Sequence, residues 1–111
     1  MDKKSNNIIK KEHLDVVERY VQKLRGEGLP IEGAYIFGST ATGKRNEWSD
    51  IDTCIISSSF GDDRLSNRVF LMKRVEGISD LIEPHPLSPE DFKDRYNPLV
   101  SEIKKWGVKV A

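Results

Sequence analysis

Asp50 and Asp52, two aspartates separated by one residue, are the groups in this sequence best suited to hold a cation. Asp50 directly precedes an apolar stretch, residues 51–57, and Asp52 is its second residue. The β-branched residues of this stretch predict a strand. Side chains at positions i and i+2 of a strand point to the same face, so the two carboxylates would aim the same way, with Cα atoms about 7 Å apart. Neighbouring carboxylates repel unless a cation lies between them. Such an oxygen-rich site suits Mg²⁺, which takes its remaining ligands from water and substrate phosphates.

A glycine–serine turn, Gly38–Ser39, is separated from this acid pair by ten residues. The turn follows a β-branched and aromatic run from Ala34 to Phe37, which predicts another strand. The backbone N–H groups of such a turn can bind an anion. An anion site and a metal site this close in the sequence indicate nucleotide chemistry.

Length and charge limit the classes of protein that this chain can represent. Its 111 residues predict a single domain over residues 1–111, with residues 1–7 flexible. Lys plus Arg and Asp plus Glu both total 18, so the chain lacks the excess positive charge that phosphate backbones require. We therefore do not expect nucleic acid to be its main partner.

Cysteine content and hydropathy predict a cytoplasmic protein with no membrane partner. One cysteine and two histidines rule out a disulfide framework and a Cys/His zinc spacing. The cysteine, Cys54, lies inside an apolar strand and is predicted to be a buried core residue. The apolar runs are too short to span a bilayer, and the first residues lack a signal-peptide pattern.

Periodicity and turn residues predict an α/β (α+β) fold, with helices covering one face of a small mixed sheet. The predicted strands are residues 33–37, 51–57 and 78–83, with a short edge strand at 108–110. The predicted helices are residues 8–26, 64–76 and 98–106, with a short helix that Ser88 caps and Pro89 begins.

The turn and the acid pair together resemble the DNA polymerase β-like nucleotidyltransferase superfamily, and above all its minimal nucleotidyltransferase branch of stand-alone domains. The family pattern is Gly-Ser, ten residues and Asp-x-Asp, with small residues and a glycine after the serine. The matching positions here are Gly38, Ser39, Ala41, Gly43, Ser49, Asp50, Ile51 and Asp52. The resemblance implies a nucleotidyltransferase fold and the Mg²⁺-dependent transfer of a nucleoside monophosphate, such as AMP from ATP, to a hydroxyl.

The resemblance also implies roles for individual residues. Asp50 and Asp52 would hold two Mg²⁺ ions, and the turn would bind the β- and γ-phosphates of ATP or another nucleoside triphosphate. The implied nucleotide-binding residues are Gly38, Ser39, Thr40, Lys44, Arg45 and Ser49. Lys44 and Arg45 are candidates for contacts with the phosphate tail, although a solvated surface position is favoured for both. Arg64 and Arg68 lie one helical turn apart and are expected either to be solvated or to bind a substrate phosphate or a partner.

The family site needs a third carboxylate from the later strand, and two residues compete for this position. Family spacing favours Asp80, whereas strand parity favours Glu83, because Asp80 would share a face with the apolar Ile78 and Ile82. We expect the ligand to be Glu83. His85 lies between two prolines and is expected to be an exposed loop residue, with a contact to metal or substrate as the alternative.

The small size of the chain suggests that another chain supplies the acceptor, or that it binds between protomers of a homo-oligomer. Minimal domains of this kind resemble the antitoxin half of toxin–antitoxin pairs. The resemblance implies a helical HEPN-type toxin as partner and AMP transfer to one of its tyrosines. Two alternatives are a catalytically silent module that neutralises its partner by docking, and a small-molecule adenylyltransferase that modifies an antibiotic hydroxyl.

Overall fold

The computed structural model describes residues 9–42 and 50–111. Within these residues four strands form one sheet: β1 (Gly33–Phe37), β2 (Ile51–Ile56), β3 (Ile82–Leu87) and β4 (Val108–Lys109). Their order across the sheet is β3-β2-β1-β4. β1 is antiparallel to both β2 and β4, whereas β2 and β3 are parallel. The predicted α/β class with a small mixed sheet is confirmed.

Two longer helices cover one face of this sheet. The helices of the described residues are α1 (Lys11–Gly26), α2 (Ser39–Thr42), α3 (Arg64–Lys73), α4 (Pro89–Phe92) and α5 (Pro98–Trp106). Val17 and Leu24 of α1 and Leu71 of α3 form one apolar cluster with Ile36 and Ile55 of the strands. We call this side of the sheet the α1 face.

The buried hydroxyl of Tyr20 joins the two helices of the α1 face, because it donates a hydrogen bond to the backbone oxygen of Leu71 at 2.7 Å. Burial raises the pKa of the Tyr20 hydroxyl. The hydroxyl therefore stays protonated and keeps its role as a donor.

Helix α5 packs on the opposite side of the sheet, which we call the α5 face. Val100 and Ile103 of α5 form a second apolar cluster with Phe37, Cys54 and Leu87. These strand residues alternate with those of the α1 face, as the pleat requires. The prediction that helices cover one face of the sheet is therefore wrong for α5. The physical reason is that β2 is apolar on both faces, a pattern typical of a strand that is buried on both sides.

The third strand differs from its prediction at residues 78–83, because it begins at Ile82 and continues through Pro84 and Pro86 to Leu87. The backbone oxygens of Leu81 and Leu87 accept hydrogen bonds from the β2 side, at 2.6 and 3.0 Å. Backbone groups of successive strand residues alternate in direction, so the two proline nitrogens face away from β2. Prolines are tolerated there because β3 lies at the edge of the sheet, where no N–H is needed on the outer side.

The remaining differences concern the ends of elements. Helix α1 begins at Lys11, later than its predicted start, and α3 ends at Lys73 and not at residue 76. Strand β2 ends at Ile56 and not at residue 57, and β4 ends at Lys109 and not at residue 110. None of the helices in the described ranges is long and apolar enough to cross a membrane.

Candidate active site

The parallel pairing of β2 and β3 brings two acids together on the α5 face. Asp52 and Glu83 are direct neighbours in this ladder. An oxygen of each carboxylate and a ring nitrogen of His85 all lie within 4.8 Å of one another. The side chains of Asp52 and His85 are 27% and 21% exposed, and that of Glu83 is 36% exposed. The group is thus open to an ion but less hydrated than a surface cluster.

His85 belongs to this group, so the expectation of an exposed loop residue is wrong. It lies on β3, half-buried, and its Nε2 atom is 3.2 Å from Oδ1 of Asp52. The ring of Phe37 meets the imidazole edge to face, with 5.0 Å between centroids. The signal that could have placed His85 is its i+2 spacing from Glu83, which is informative only if the strand is predicted through the prolines.

The predicted turn directly contacts the acid cluster. Phe37, the last residue of β1, pairs with Asp52, and Gly38 follows it with a φ of +73°. A Cβ atom at Gly38 would overlap Oδ2 of Asp52. Both the left-handed backbone and the close approach of a carboxylate therefore require glycine at this position.

Thr40 links the turn to the start of β2. Its side chain is buried, and its hydroxyl donates a long hydrogen bond of 3.5 Å to the backbone oxygen of Asp50. Asp50 itself is exposed, lies immediately before β2, and is not a member of the Asp52–Glu83–His85 group. Ser39 is half-buried and begins α2 directly after the glycine.

The other predicted site residues either are not members of this group or lie outside the described residues. Asp80 is exposed in the turn before β3 and is not part of the group that the described residues form. Lys44, Arg45 and Ser49, together with Gly43 of the motif, lie outside the described residues.

One arginine lies at the edge of the acid cluster. The Nη2 atom of Arg68 is 3.1 Å from Oε2 of Glu83, and both side chains are a little over one third exposed. Solvent screens a pair of this kind, so its contribution to stability is small. Its effect is to neutralise part of the negative charge at the cluster. Arg64, one turn earlier, lies instead 3.6 Å from Asp91.

The residue directly opposite His85 in the ladder is Cys54. Its thiol is fully buried, and burial raises the pKa of this thiol to about 12. Cys54 therefore remains a protonated core residue beside the site, and the prediction of a buried cysteine is confirmed.

Residues 9–108 match the model of one protein family, which is described as a nucleotidyltransferase domain. The match extends over most of the sequence and includes the turn, the acid pair and β3. The chain belongs to this nucleotidyltransferase family. As a nucleotidyltransferase, it is an enzyme that is expected to use a nucleoside triphosphate and a divalent cation, and two carboxylates with an adjacent imidazole fit such a cation.

Solved structures share the fold of this nucleotidyltransferase. A candidate nucleotidyltransferase from Sulfolobus solfataricus is 21% identical, with a TM-score of 0.61 over 86% of this chain and 77% of that chain. A toxin–antitoxin with AMP-PNP is 20% identical, with a TM-score of 0.61 over 85% of this chain and 72% of that chain. A mutant of the toxin–antitoxin MntA–HpeT is 16% identical, with a TM-score of 0.58 over 84% of this chain and 70% of that chain. A comparison with curated protein sequences gives no match.

Proposed function

We propose that this nucleotidyltransferase moves AMP from ATP, with Mg²⁺, to a hydroxyl of a partner protein, and that the acceptor is a tyrosine of a helical HEPN-type toxin. The observation that carries the proposal is the pairing of Asp52 with Glu83, with the Gly38 turn against Asp52. Two carboxylates beside an anion-binding turn are the parts that nucleotidyl transfer needs.

Each residue has a distinct task in this proposal. Asp52 and Glu83 would hold the divalent cations, with Asp50 as a further ligand from the position before β2. When bound, the cations neutralise the charge of the triphosphate and of the leaving group. Gly38 lets the backbone approach the phosphates without a Cβ atom in the way, and the N–H groups near Ser39 and Thr40 would donate to the β- and γ-phosphates.

The transfer balances without another reactant. The acceptor hydroxyl oxygen forms a bond to the α-phosphorus of ATP, and the bond from that phosphorus to the bridging oxygen of pyrophosphate breaks. The hydroxyl gives up its proton to solvent, and pyrophosphate leaves. The chain therefore has to position the two reacting oxygens roughly in line and stabilise charge.

Two observations support a protein as the acceptor. Helix α3 carries three exposed apolar side chains at helical spacing, Leu65, Val69 and Met72, which are 73%, 40% and 49% exposed. Exposed apolar patches of this kind are typical of protein interaction sites. In addition, two of the similar structures are toxin–antitoxins, one with AMP-PNP and one with two Asp→Glu mutations two residues apart, which is the spacing of Asp50 and Asp52.

The proposal is tested with ATP labelled at the α-phosphorus, Mg²⁺ and the protein encoded by the neighbouring gene. Label should appear on that protein, and phenylalanine in place of its acceptor tyrosine should prevent labelling. Asp52→Asn should slow transfer at least about 100-fold, the loss typical when charge stabilisation of the transition state is removed.

Two controls make this result specific. Asp62→Asn neutralises an exposed acid of the loop before α3 and should leave transfer unchanged. ATP labelled at the γ-phosphorus should leave the partner unlabelled, because that atom departs with pyrophosphate. Undiminished transfer by the Asp52→Asn protein would overturn the assignment of this aspartate.

A second candidate function, docking without catalysis, is favoured by the same exposed stripe on α3. One experiment, which measures neutralisation of the partner by two variants, distinguishes docking alone from catalytic transfer. If Asp52→Asn still neutralises the partner whereas Val69→Asp does not, docking alone accounts for the activity. If both substitutions prevent neutralisation, transfer is required as well.

A further inference from the structure

His85 lies outside the Gly-Ser and Asp-x-Asp motif, yet it is part of the acid cluster. We propose that His85 is a metal ligand and that the Asp52–Glu83–His85 group therefore prefers Mn²⁺ or Co²⁺ to Mg²⁺. The inference rests only on the metal-binding part of the proposed function. It concerns which ion this site selects and which residue is responsible.

The separation of the ligand atoms fits a shared ion. Adjacent octahedral ligands about 2.1 Å from one cation lie about 3 Å apart. Nε2 of His85 and Oδ1 of Asp52 are 3.2 Å apart, which is close to this separation. A carboxylate oxygen of Glu83 lies within 4.8 Å of both atoms, so a small rotation of a partly exposed side chain would complete three ligands.

The imidazole is held in this position by its surroundings. Phe37 packs against the ring from β1, and Pro84 and Pro86 restrict the backbone on either side of His85. Pro84 is fully buried, so this part of β3 is anchored in the fold. A ligand whose rotamer is fixed before the ion arrives loses little conformational freedom on binding.

The chemistry of the donor atoms determines the preferred ion. Mg²⁺ binds through oxygen and needs only one or two carboxylates, which Asp52 and Glu83 supply. An imidazole nitrogen adds little for Mg²⁺ but strengthens binding of first-row transition ions, in the order Mn²⁺, Co²⁺ and later metals. His85 would thus change selectivity more than it changes the binding of Mg²⁺.

Arg68 acts on the same cluster in a different way. Its guanidinium pairs with Glu83 at 3.1 Å and must yield to any divalent cation that binds this carboxylate. Because the competition is between charges, it opposes all divalent ions equally. Arg68 therefore lowers affinity without selecting between ions, which makes it a matched control for His85.

The test measures binding and not turnover. Calorimetric titration of the intact chain should give a Co²⁺ affinity at least about 10-fold above its Mg²⁺ affinity. His85→Gln keeps a hydrogen-bonding group near Asp52 but removes the imidazole. This variant should lose at least about 10-fold in Co²⁺ affinity and change little in Mg²⁺ affinity.

Arg68→Gln should raise both affinities by the same factor and leave their ratio unchanged. Loss of the Co²⁺ preference in this variant would attribute the preference to charge and overturn the role of His85. Equal Co²⁺ affinity in the wild-type and His85→Gln proteins would overturn it as well.

A measurement on the wild-type chain gives a result that does not depend on the folding of the His85 and Arg68 variants. Co²⁺ shifts the ring proton resonances of an imidazole that ligates it far outside their usual range. The shifted signals should persist in His13→Gln, which removes the other histidine of the sequence. Their absence from the wild-type spectrum would overturn the inference.

The inference and the proposed function can fail separately. A chain that binds Co²⁺ through His85 but transfers no nucleotide would support the inference and remove the function. A chain that transfers AMP with Mg²⁺ and shows no preference for Co²⁺ would keep the function and overturn the inference.

Discussion

The two faces of the sheet are built from the same strands but have different contents. The α1 face is apolar along the strands, with Ile36, Ile51 and Ile55 in one cluster. The α5 face is apolar at Cys54 and Leu87. Two residues earlier on the same strands it carries the ionisable side chains of Asp52 and His85. One face therefore serves stability alone, whereas the other divides its area between packing and chemistry. This contrast predicts which substitutions affect the fold and which affect the site.

The largest effect on stability is expected from Ile55→Ala on the α1 face. Ile55 is fully buried, and removing its side chain leaves a cavity that should lower the free energy of unfolding by roughly 2–5 kcal/mol. Urea denaturation measures this change. The folded fraction should bind divalent ions as the wild type does, because Ile55 points away from the cluster. A loss below about 1 kcal/mol would show that this face repacks more easily than its burial indicates.

The second-largest effect is expected from Glu83→Gln on the α5 face, which should lower the rate of nucleotidyl transfer and not stability. Transfer should drop about 100-fold, since a carboxylate of the site is neutralised. The free energy of unfolding should change by less than about 1 kcal/mol, because the Arg68–Glu83 pair is partly exposed and screened. The comparison of the faces would be wrong if this variant unfolded as readily as Ile55→Ala.

A third substitution, Gly38→Ala, affects both the fold and the site. The positive φ costs about 1–2 kcal/mol for a residue with a Cβ atom. The added methyl also forces the carboxylate of Asp52 to move, so metal affinity should fall as well. Gly28→Ala is the matched control, because Gly28 also has a positive φ, at 95°, but open space around its Cα. It should lower stability alone, and equal metal affinity in the two variants would contradict a role for the close approach.

The smallest effect is expected from Asn97→Ala, at the start of α5. The Asn97 side chain accepts hydrogen bonds from the N–H groups of Leu99 and Val100, at 2.9 and 3.4 Å. Losing this cap should lower the free energy of unfolding by about 1 kcal/mol. Ser101→Ala, at an exposed position inside the same helix, should cost nothing measurable. Thermal melting of the two variants measures the difference, and equal melting temperatures would show that the cap contributes little.

Local signals in the sequence predict how Gly38, Asp52 and Glu83 are arranged, but not that Asp50, before β2, lies outside the Asp52–Glu83–His85 group. The spacing of Gly38 and Asp52 and their flanking apolar runs predict two strands joined near a turn, and the structure brings these residues into contact. Parity predicts that Glu83 and Ile82 point to opposite faces, and they do. Such local patterns predict which side chains share a face of the sheet, because side chains along a strand alternate between its two faces.

The missed features depend on neighbours that are distant in the sequence. The prolines at 84 and 86 indicate the end of a strand unless the strand is known to be an edge strand, and only the sheet order establishes that. Because the predicted strand ends at Glu83, it does not include His85, and the i+2 spacing of the two residues on one face cannot be recognised. The sequence predicts helix α5 but not its position on the second face, since the apolar character of β2 does not tell which helix covers which side.

The prolines of β3 also determine how this chain can assemble. Their nitrogens point outward along the edge that carries Glu83 and His85, so another strand cannot add to the sheet there with a full set of hydrogen bonds. In the described part of the chain the opposite edge is β4, which has only two residues. Growth by strand addition is thus discouraged at both ends of the sheet. A partner that binds this chain is therefore expected to contact side chains and helices and not to extend the sheet.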